Sequence, residues 1–372
     1  MIALGKARTL DTPNKKWTAA ASTRWAPAGG WERWLEGKVG RKGYKTFRVR
    51  LLVQTAFAVT CVLLGAQFAR FVTAARQGVL PLPHRPAGVE GFLPISGLLG
   101  IVDWMRNGSL NQVHPAATAI LLVVLAMSLL LRKSFCSWVC PVGFLSEALA
   151  RLGRGIFGRN FRIWRFLDVP LRGLKYFFLF FFTWAILGMT PAALRAFIES
   201  PYNTIADVKT GMFFVELGSL GAAVLLGLAL LSVLYKSFWC RYLCPYGALL
   251  GIFSWLSPAR IRRDPVSCID CGLCDRVCMA RLPVSKKIDV LSPECTGCLD
   301  CVAVCPIKDA LGLHVARRRW EARHYAVAVL LLFLTGYAGA RVFGLWENRI
   351  GDAEYIHHIH QDSIEAYGHP GR

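Results

Sequence analysis

The sequence predicts an α-helical integral membrane protein of about five transmembrane helices, with one small α+β domain set between the last two. Three observations carry that expectation. Apolar residues make up 54% of the 372 and charged residues only 18%, against about 25% charged in soluble domains. The apolar residues gather in runs close to 20 long, the length of helix that crosses ~30 Å of hydrocarbon. Thirteen cysteines are present, and twelve of them fall into two kinds of repeated pattern outside those runs. This balance excludes a disordered chain and argues against an ordinary cytosolic enzyme.

The expected spans are 51–72, 115–131, 174–190, 212–235 and 324–343. Lys175 is expected to snorkel at the edge of the third. Glu216 reads as a boundary residue of the fourth, and Cys61 as a packing residue inside the first. Residues 1–50 hold no apolar core of the signal-peptide kind, so the N-terminus is expected to stay on the side of synthesis. Segments 1–50, 132–175 and 236–323 carry 12, 9 and 14 of the 44 Lys and Arg residues. The positive-inside rule then places the N-terminus in the cytoplasm and the C-terminus outside, in agreement with five crossings. Topology accounts for most of the net charge of +21. A nucleic-acid role would need a basic face with stacking or groove-reading elements, and none is expected. The expected organisation is a cytoplasmic basic and aromatic arm over 1–50, a four-helix membrane domain over 51–260, a cytoplasmic small domain over 261–315, the fifth helix at 324–343 and an extracytoplasmic tail over 344–372.

Two segments of the membrane domain match each other. Lys133-Ser-Phe-Cys136-Ser-Trp-Val-Cys140-Pro-Val-Gly143 corresponds to Lys236-Ser-Phe-Trp-Cys240-Arg-Tyr-Leu-Cys244-Pro-Tyr-Gly247. Both read C-x3-C-P-x-G, both follow an apolar run, and the paired cysteines stand 104 residues apart. The chain therefore reads as a duplicated helical hairpin with a redox-type motif at each exit. Cysteines at i and i+4 share a helix face, and the following proline disfavours helical geometry at the second. Four buried structural cysteines would be the plain alternative. Two copies sharing Pro, Gly and Lys-Ser-Phe favour function: a metal or cluster site, a thiol–disulfide relay, or part of a quinone site.

The strongest signal lies between the fourth and fifth spans. Cys268, Cys271, Cys274 and Cys278 form one C-x2-C-x2-C-x3-C run, and Cys295, Cys298, Cys301 and Cys305, followed by Pro306, form another. This is the spacing of the bacterial two-cluster ferredoxin, in which three close cysteines wrap a cubane and the fourth reaches the other one. Cys268, Cys271, Cys274 and Cys305 are the expected ligands of one [4Fe–4S] cluster. Cys295, Cys298, Cys301 and Cys278 are those of the second. Gly272 and Gly297 suit loops in which backbone approaches sulfide closely. Zinc also takes four cysteines, but tandem quartets with a closing Cys-Pro favour iron and sulfide. Disulfides are disfavoured in a cytoplasmic segment. Met279 stands where the usual pattern has proline. A domain of this size folds poorly on core burial alone, so the clusters are expected to supply much of its stability.

Twin C-x3-C-P motifs on membrane helices, joined to this pair of quartets, resemble the NapH-type membrane ferredoxins. The membrane half of NosR and the CcoG/RdxA proteins share the plan. The resemblance covers roughly residues 45–312. It implies a quinol-oxidising or electron-relaying membrane subunit of the bacterial inner membrane, with Cys136, Cys140, Cys240 and Cys244 as redox-motif cysteines and the eight others as cluster ligands. The ends depart from the plan. No flavin-binding domain of the NosR kind precedes the first span, no long β-domain of the CcoG kind follows, and a fifth span and short tail are present instead.

The arm carries Trp17, Trp25, Trp31 and Trp34 among Lys and Arg, as a membrane-interface anchor would. The loop 73–114 holds Pro81, Pro83, His84, Pro86, Asp103, Trp104 and His114, and is long enough to fold back on the membrane. Its His and Asp residues are candidate proton acceptors for quinol. The tail carries His357, His358, His360 and His369, read as a solvated or partner-docking segment with metal binding as the alternative. The favoured function is a quinol-dehydrogenase-type subunit that passes electrons to or from a redox partner protein. The rivals are a metal-reducing or cofactor-assembly factor for copper, cytochrome oxidase or nitrous-oxide reductase, and a redox sensor. No dinucleotide fingerprint, P-loop or zincin motif competes.

Overall fold

The computed structural model describes residues 40–108 and 110–360. The arm tryptophans and His369 lie outside the described residues. The chain opens with helix α1 (Gly40–Arg76). A 3₁₀ turn (Ala87–Phe92) leads into α2 (Pro94–Asn107), and α3 (Pro115–Leu131) follows. Next come a π turn (Phe135–Val139) and α4 (Pro141–Phe157). Helix α5 (Arg165–Leu187) is followed by the short α6 (Pro191–Ile198), α7 (Pro201–Thr204) and α8 (Ala206–Val215). Then α9 (Ser219–Leu234), a second π turn (Trp239–Leu243) and α10 (Pro245–Ser254) repeat the helix–π turn–helix pattern. Strand β1 (Ala259–Arg263), the one-turn helices α11 (Leu273–Val277) and α12 (Asp300–Ala303), β2 (Leu311–Val315) and β3 (Arg318–Trp320) form the small lobe. Helices α13 (Ala322–Val342) and α14 (Asp352–His360) complete the described chain.

Proline sets six of the helix starts. It occupies the first turn of α2, α3, α4, α6, α7 and α10, where its missing N–H is one the helix cannot use. Thr190 and Ser200 complete two of these starts by accepting from the N–H of Ala193 and Asn203. Gly108 and Gly158 end α2 and α4 at φ 68°, the left-handed geometry that glycine tolerates.

Among the described residues, α1, α5 and α13 are long and apolar enough to cross a membrane, and the pair α8 and α9 adds a fourth if its 80° bend is one broken span. Helix α3 is apolar too but has only 17 residues, at the lower end of the length that crosses a bilayer. The expected span 212–235 is thus interrupted. Glu216 and Gly218 lie in the break, and Glu216 pairs with Arg76 at 2.9 Å. A carboxylate held to a partner at a boundary need not enter hydrocarbon. The helices also present an apolar stripe outward: Phe177, Phe180, Phe181 and Trp184 of α5 are exposed at i, i+3, i+4 and i+7. Such a face is stable against lipid and not against water.

The loop 73–114 does fold back. Its helix α2 lies against α3, with Gly97 next to the Ala117 carbonyl and Gly100 against the Thr118 hydroxyl. At the same end of the molecule Phe68, Phe71 and Ala75 of α1 pack with Ile205, Val208, Tyr355 and Ile359. The tail helix is therefore docked on α1. The small lobe carries an antiparallel sheet in the order β1–β2–β3, with Ile261 opposite Leu313 and Leu313 opposite Trp320. Its core is continuous with that of the helices. Val53, Leu131, Trp138, Tyr325 and Val329 share one buried cluster with Ile261, Val284, Val290, Leu299 and Leu313.

Close helix contact in the repeat gives a test. A Cβ on Gly153 of α4 would collide with the Val233 carbonyl of α9, whereas one on Gly155 would meet open space. Gly153→Ala should lower the thermal midpoint in detergent, at an overpacking cost of about 1–3 kcal/mol. Gly155→Ala should not lower it.

Candidate functional site

The two ferredoxin-type loops share one backbone design. Counting from the first cysteine of each, the residues at +2 and +4 are left-handed: Asp270 (φ 49°) and Gly272 (φ 68°) after Cys268, Gly297 (φ 64°) and Leu299 (φ 64°) after Cys295. That geometry folds each C-x2-C-x2-C run around a central space. Glycine and aspartate reach it easily, whereas leucine does so at a cost. Leu299 is buried at 2% exposure, and packing holds it there. Each loop then enters a one-turn helix, α11 or α12, capped by its second left-handed residue.

The structure gathers the eight cysteines into two groups. Cys278, Cys295, Cys298 and Cys301 line one cavity with Ile261, Val284 and Leu299. Cys268, Cys271, Cys274 and Cys305 line another with Ile269, Ile307 and Leu311. Each group has three sulfurs from one run and the fourth from the other, as the spacing implies. None of the eight forms a disulfide. Among the described residues no three His, Cys, Asp or Glu groups converge closely enough to hold a single metal ion. The quartets ring spaces, an arrangement that suits a multi-atom cluster better than a zinc ion. The residues present therefore fit the group that their spacing implies.

The two cavities differ in setting. The first quartet is walled by the small lobe itself, with Val266 nearby at 88% exposure. The second is gripped by the membrane helices. Arg50 of α1 donates to the Cys298 carbonyl at 3.0 Å and pairs with Asp300 at 3.1 Å and with Glu147 of α4. Ser137 donates to the Thr296 carbonyl at 2.6 Å and Trp138 Nε1 to that of Gly297 at 3.1 Å. Arg132 reaches the Ser292 carbonyl at 2.6 Å, Lys236 that of Arg276 at 2.7 Å, and Arg241 that of Ala280 at 2.6 Å. Glu294, which precedes Cys295, is bound by Lys175 at 2.6 Å and lies 3.8 Å from Lys133. Burial opposes ionisation of Glu294, yet the two ammonium groups hold its carboxyl below the usual range. Lys175 does not snorkel: it is fully buried in this pair, because an ion pair inside the protein replaces the water that snorkelling would have sought.

The C-x3-C-P cysteines lie in the segments that make this grip, Cys136 beside Ser137 and Cys240 beside Arg241. Cys136 and Cys240 stand in the two π turns, and Cys140 and Cys244 cap the helices that follow. Cys140 is extended at φ −66° and ψ 120°, as the following proline requires. An i→i+5 turn carries the first cysteine of each motif, a geometry that recurs at functional sites. Ser137, inside the first motif, touches Thr296, inside the second quartet. The order in space is membrane motifs, second quartet, first quartet.

The residues named in the outer loop are not brought to one place. His84 is exposed and sits 4.0 Å from Glu347. Asp103 is buried with Asn107 and lies 3.7 Å from Arg195. His114 is fully buried, its Nε2 donating to the Asn203 carbonyl at 2.6 Å and its Nδ1 3.4 Å from Glu90. Arg85 joins Glu90 at 2.8 Å to Asp207 at 2.7 Å. His357 and His358 are ring neighbours at 5.1 Å on α14. Arg50, Glu147, Glu294, Glu90 and Asp207 were not distinguishable in the sequence: Arg50 meets Glu147 across 97 residues, Lys175 meets Glu294 across 119, and Asp207 meets Arg85, the partner of Glu90, across 122. The shared lysines of the twin motifs, Lys133 and Lys236, were the one available signal.

Two predictions follow from these contacts. Arg50→Ala takes the paired cation from buried Asp300 and leaves Glu147 to Arg151 alone, and should cost about 3–5 kcal/mol, read as a lower unfolding midpoint. For His114, burial works against the charged ring, but the Glu90 and Asp207 carboxylates outweigh it and raise its pKa. A raised value adds stability that is complete below the unfolded value, about 6.5, and is lost as pH rises through the folded one. Thermal midpoints measured from pH 5.5 upward should decline across that window in the wild type. His114→Gln should remove the decline.

Sequence comparison places this geometry. The family described as a 4Fe-4S binding domain matches residues 113–160 and again 217–264, and the family described as a 4Fe-4S dicluster domain matches 260–306. YccM of Escherichia coli K12, by name an electron transport protein, is 42% identical over 280 residues, covering 73% of this chain and 78% of its own length. The ferredoxin-type protein NapH of Haemophilus influenzae is 29% identical over 196 residues, 50% of this chain and 64% of its own. The regulatory protein NosR of Pseudomonas aeruginosa is 29% identical over 214 residues, 55% of this chain and 28% of its own. No solved structure matches. With cysteine quartets, twin membrane motifs and these relatives in hand, the chain belongs to the NapH-type membrane ferredoxins, a family of iron–sulfur electron-transport proteins.

Proposed function

We propose that this chain is a quinol-dehydrogenase-type relay of the bacterial inner membrane, carrying electrons between the quinol pool and a redox partner protein. Cys268, Cys271, Cys274 and Cys305 hold one [4Fe–4S] cluster, and Cys278, Cys295, Cys298 and Cys301 hold the second. Bound there, the clusters supply one-electron transfer. The observation that carries the reading is the hydrogen bond from Ser137 to the Thr296 carbonyl, which joins a membrane motif directly to the second quartet. A soluble ferredoxin has no use for such a junction.

The protein's own residues have definable tasks. Trp138 and Tyr325, both fully buried, close the second quartet against water on the membrane side. Arg50, Arg132, Lys236 and Arg241 fix the carbonyls of its loops. Charge of this sign in a dry setting stabilises electron uptake. The first quartet, on the exposed face, is the port for the partner. Quinol is expected near the C-x3-C-P motifs and not at His114. Helix α3 separates the two by 17 residues, about 25 Å at 1.5 Å per residue. The Lys and Arg distribution supports a cytoplasmic N-terminus and small lobe.

Anaerobically purified protein should carry cubane iron, lost by half of the ferredoxin complement in Cys298→Ser, with the first quartet's EPR signal retained. Membrane vesicles given a quinol analogue should show reduction of those signals. Clusters that titrate with dithionite yet never respond to quinol would remove the quinol assignment. Folded, iron-free protein would remove the relay.

A further inference from the structure

The four cysteines of the twin motifs belong to neither quartet, yet they meet. Cys140 is within electrostatic reach of Cys136, Cys240 and Cys244, and Cys136 within that of Cys240 and Cys244. The two motifs abut through several contacts: Ser146 Oγ lies 3.4 Å from Cys240 Sγ, Lys133 donates to the Gly247 carbonyl at 3.3 Å, and the rings of Phe135 and Tyr246 meet edge-on at 5.9 Å. One motif offers two sulfurs. An iron–sulfur cluster needs four protein ligands. Each matched copy of the 4Fe-4S binding domain contains only its own pair, Cys136 and Cys140 or Cys240 and Cys244. Neither copy can complete a cluster alone, and the two together can.

A second observation, independent of the sulfurs, points to a negatively charged occupant. Lys133 and Lys175 are buried at 4% and 0% exposure, and both act on Cys136, Cys240 and Cys244. Among the described residues the carboxylate that pairs with them is Glu294 alone. Two ammonium groups against one carboxylate would leave one positive charge in a buried site, a costly arrangement that an anion there offsets. Two helix N-termini add to it. Cys140 and Cys244 cap α4 and α10, and the Gly247 N–H donates to Cys244 Sγ at 3.3 Å. Both helix ends favour negative charge at the sulfurs. Four neutral thiols supply none, whereas four metal-bound thiolates do. A single ion does not suit the place, because among the described residues no three such donors converge on one point.

We propose that the two C-x3-C-P motifs together hold one shared iron–sulfur cluster, with Cys136, Cys140, Cys240 and Cys244 as its four ligands and Lys133 and Lys175 as the charges that balance it. The proposal rests on the relay reading and extends it: the third site stands between the membrane helices and the second quartet. Glu294, bound by Lys175 and followed in the chain by Cys295, ties the two sites together. An electron passing between them oxidises one site by one electron and reduces the other by one. No bond is made or broken and no proton is required.

The test is iron and acid-labile sulfide per polypeptide, with EPR redox titration, on anaerobically purified full-length protein. The two ferredoxin quartets account for about eight irons, and the shared site should add about two to four more, as a [2Fe–2S] or [4Fe–4S] centre. The double variant Cys140→Ser with Cys244→Ser should lose only that surplus and one EPR signal. Lys133→Met should keep the surplus but move the midpoint of that same signal to lower potential, a change that a purely structural lysine would not cause. Eight irons in the wild type, unchanged in the double variant, would overturn the shared site and leave the relay standing. A midpoint unmoved by Lys133→Met would overturn the charge balance, even if the double variant fails to fold. Iron-free protein throughout would overturn both readings.

Discussion

The structure depends on one arrangement: buried cations of the membrane helices donate to carbonyls and to one carboxylate of the loop that carries Cys295, Cys298 and Cys301. Arg50 holds Cys298, Arg132 holds Ser292, and Lys175 holds the Glu294 side chain. Such groups are expensive to bury, and each is retained only because it is paired or hydrogen-bonded. The return is a fixed register between two parts of the chain that sequence distance would otherwise leave free. Arg50 and Cys298 are 248 residues apart. The grip turns a small sheet with two short helices into a part of the membrane protein, and the shared core from Val53 and Trp138 to Ile261 and Leu313 seals it.

This arrangement also separates the roles of the two quartets. One is lined by its own lobe but held by buried side chains of the membrane helices, next to the twin motifs. The other faces outward and is walled by its own lobe. The proposed relay needs that asymmetry, since one of its ends meets the membrane and the other a partner. The opposite end of the molecule has its own buried charge group in Arg85, Glu90, His114 and Asp207. Its partners come from the outer loop, from α3 and from the segment before α9. It fixes those loops to one another, and it lies a membrane helix away from the cysteines.

The cysteine grouping was legible in the sequence because the spacing suits the size of a cluster and the reach of a three- or four-residue turn. The quartets, their interleaving and the twin motifs could be read that way, and Gly272 and Gly297 marked two of the four left-handed positions. Leu299 marked nothing, since no property of leucine announces a left-handed backbone. The apolar runs located the helices but not their breaks. The 80° bend at Glu216 and Gly218 falls inside a run that hydropathy alone joins. Lys175 looked like an interfacial lysine because its partner, Glu294, is 119 residues away. Pairings of that kind are set by the tertiary fold and leave no local trace.

The central claim is that the cysteine loops and the membrane helices form one unit that clusters complete. Hydrogen exchange, compared before and after anaerobic extraction of iron, measures this most directly. Loss of iron should release the amides of 268–278 and 295–305, and with them those of the first π turn at 135–139, whose Ser137 and Trp138 grip the second loop. Full protection of all three segments in iron-free protein would contradict the account.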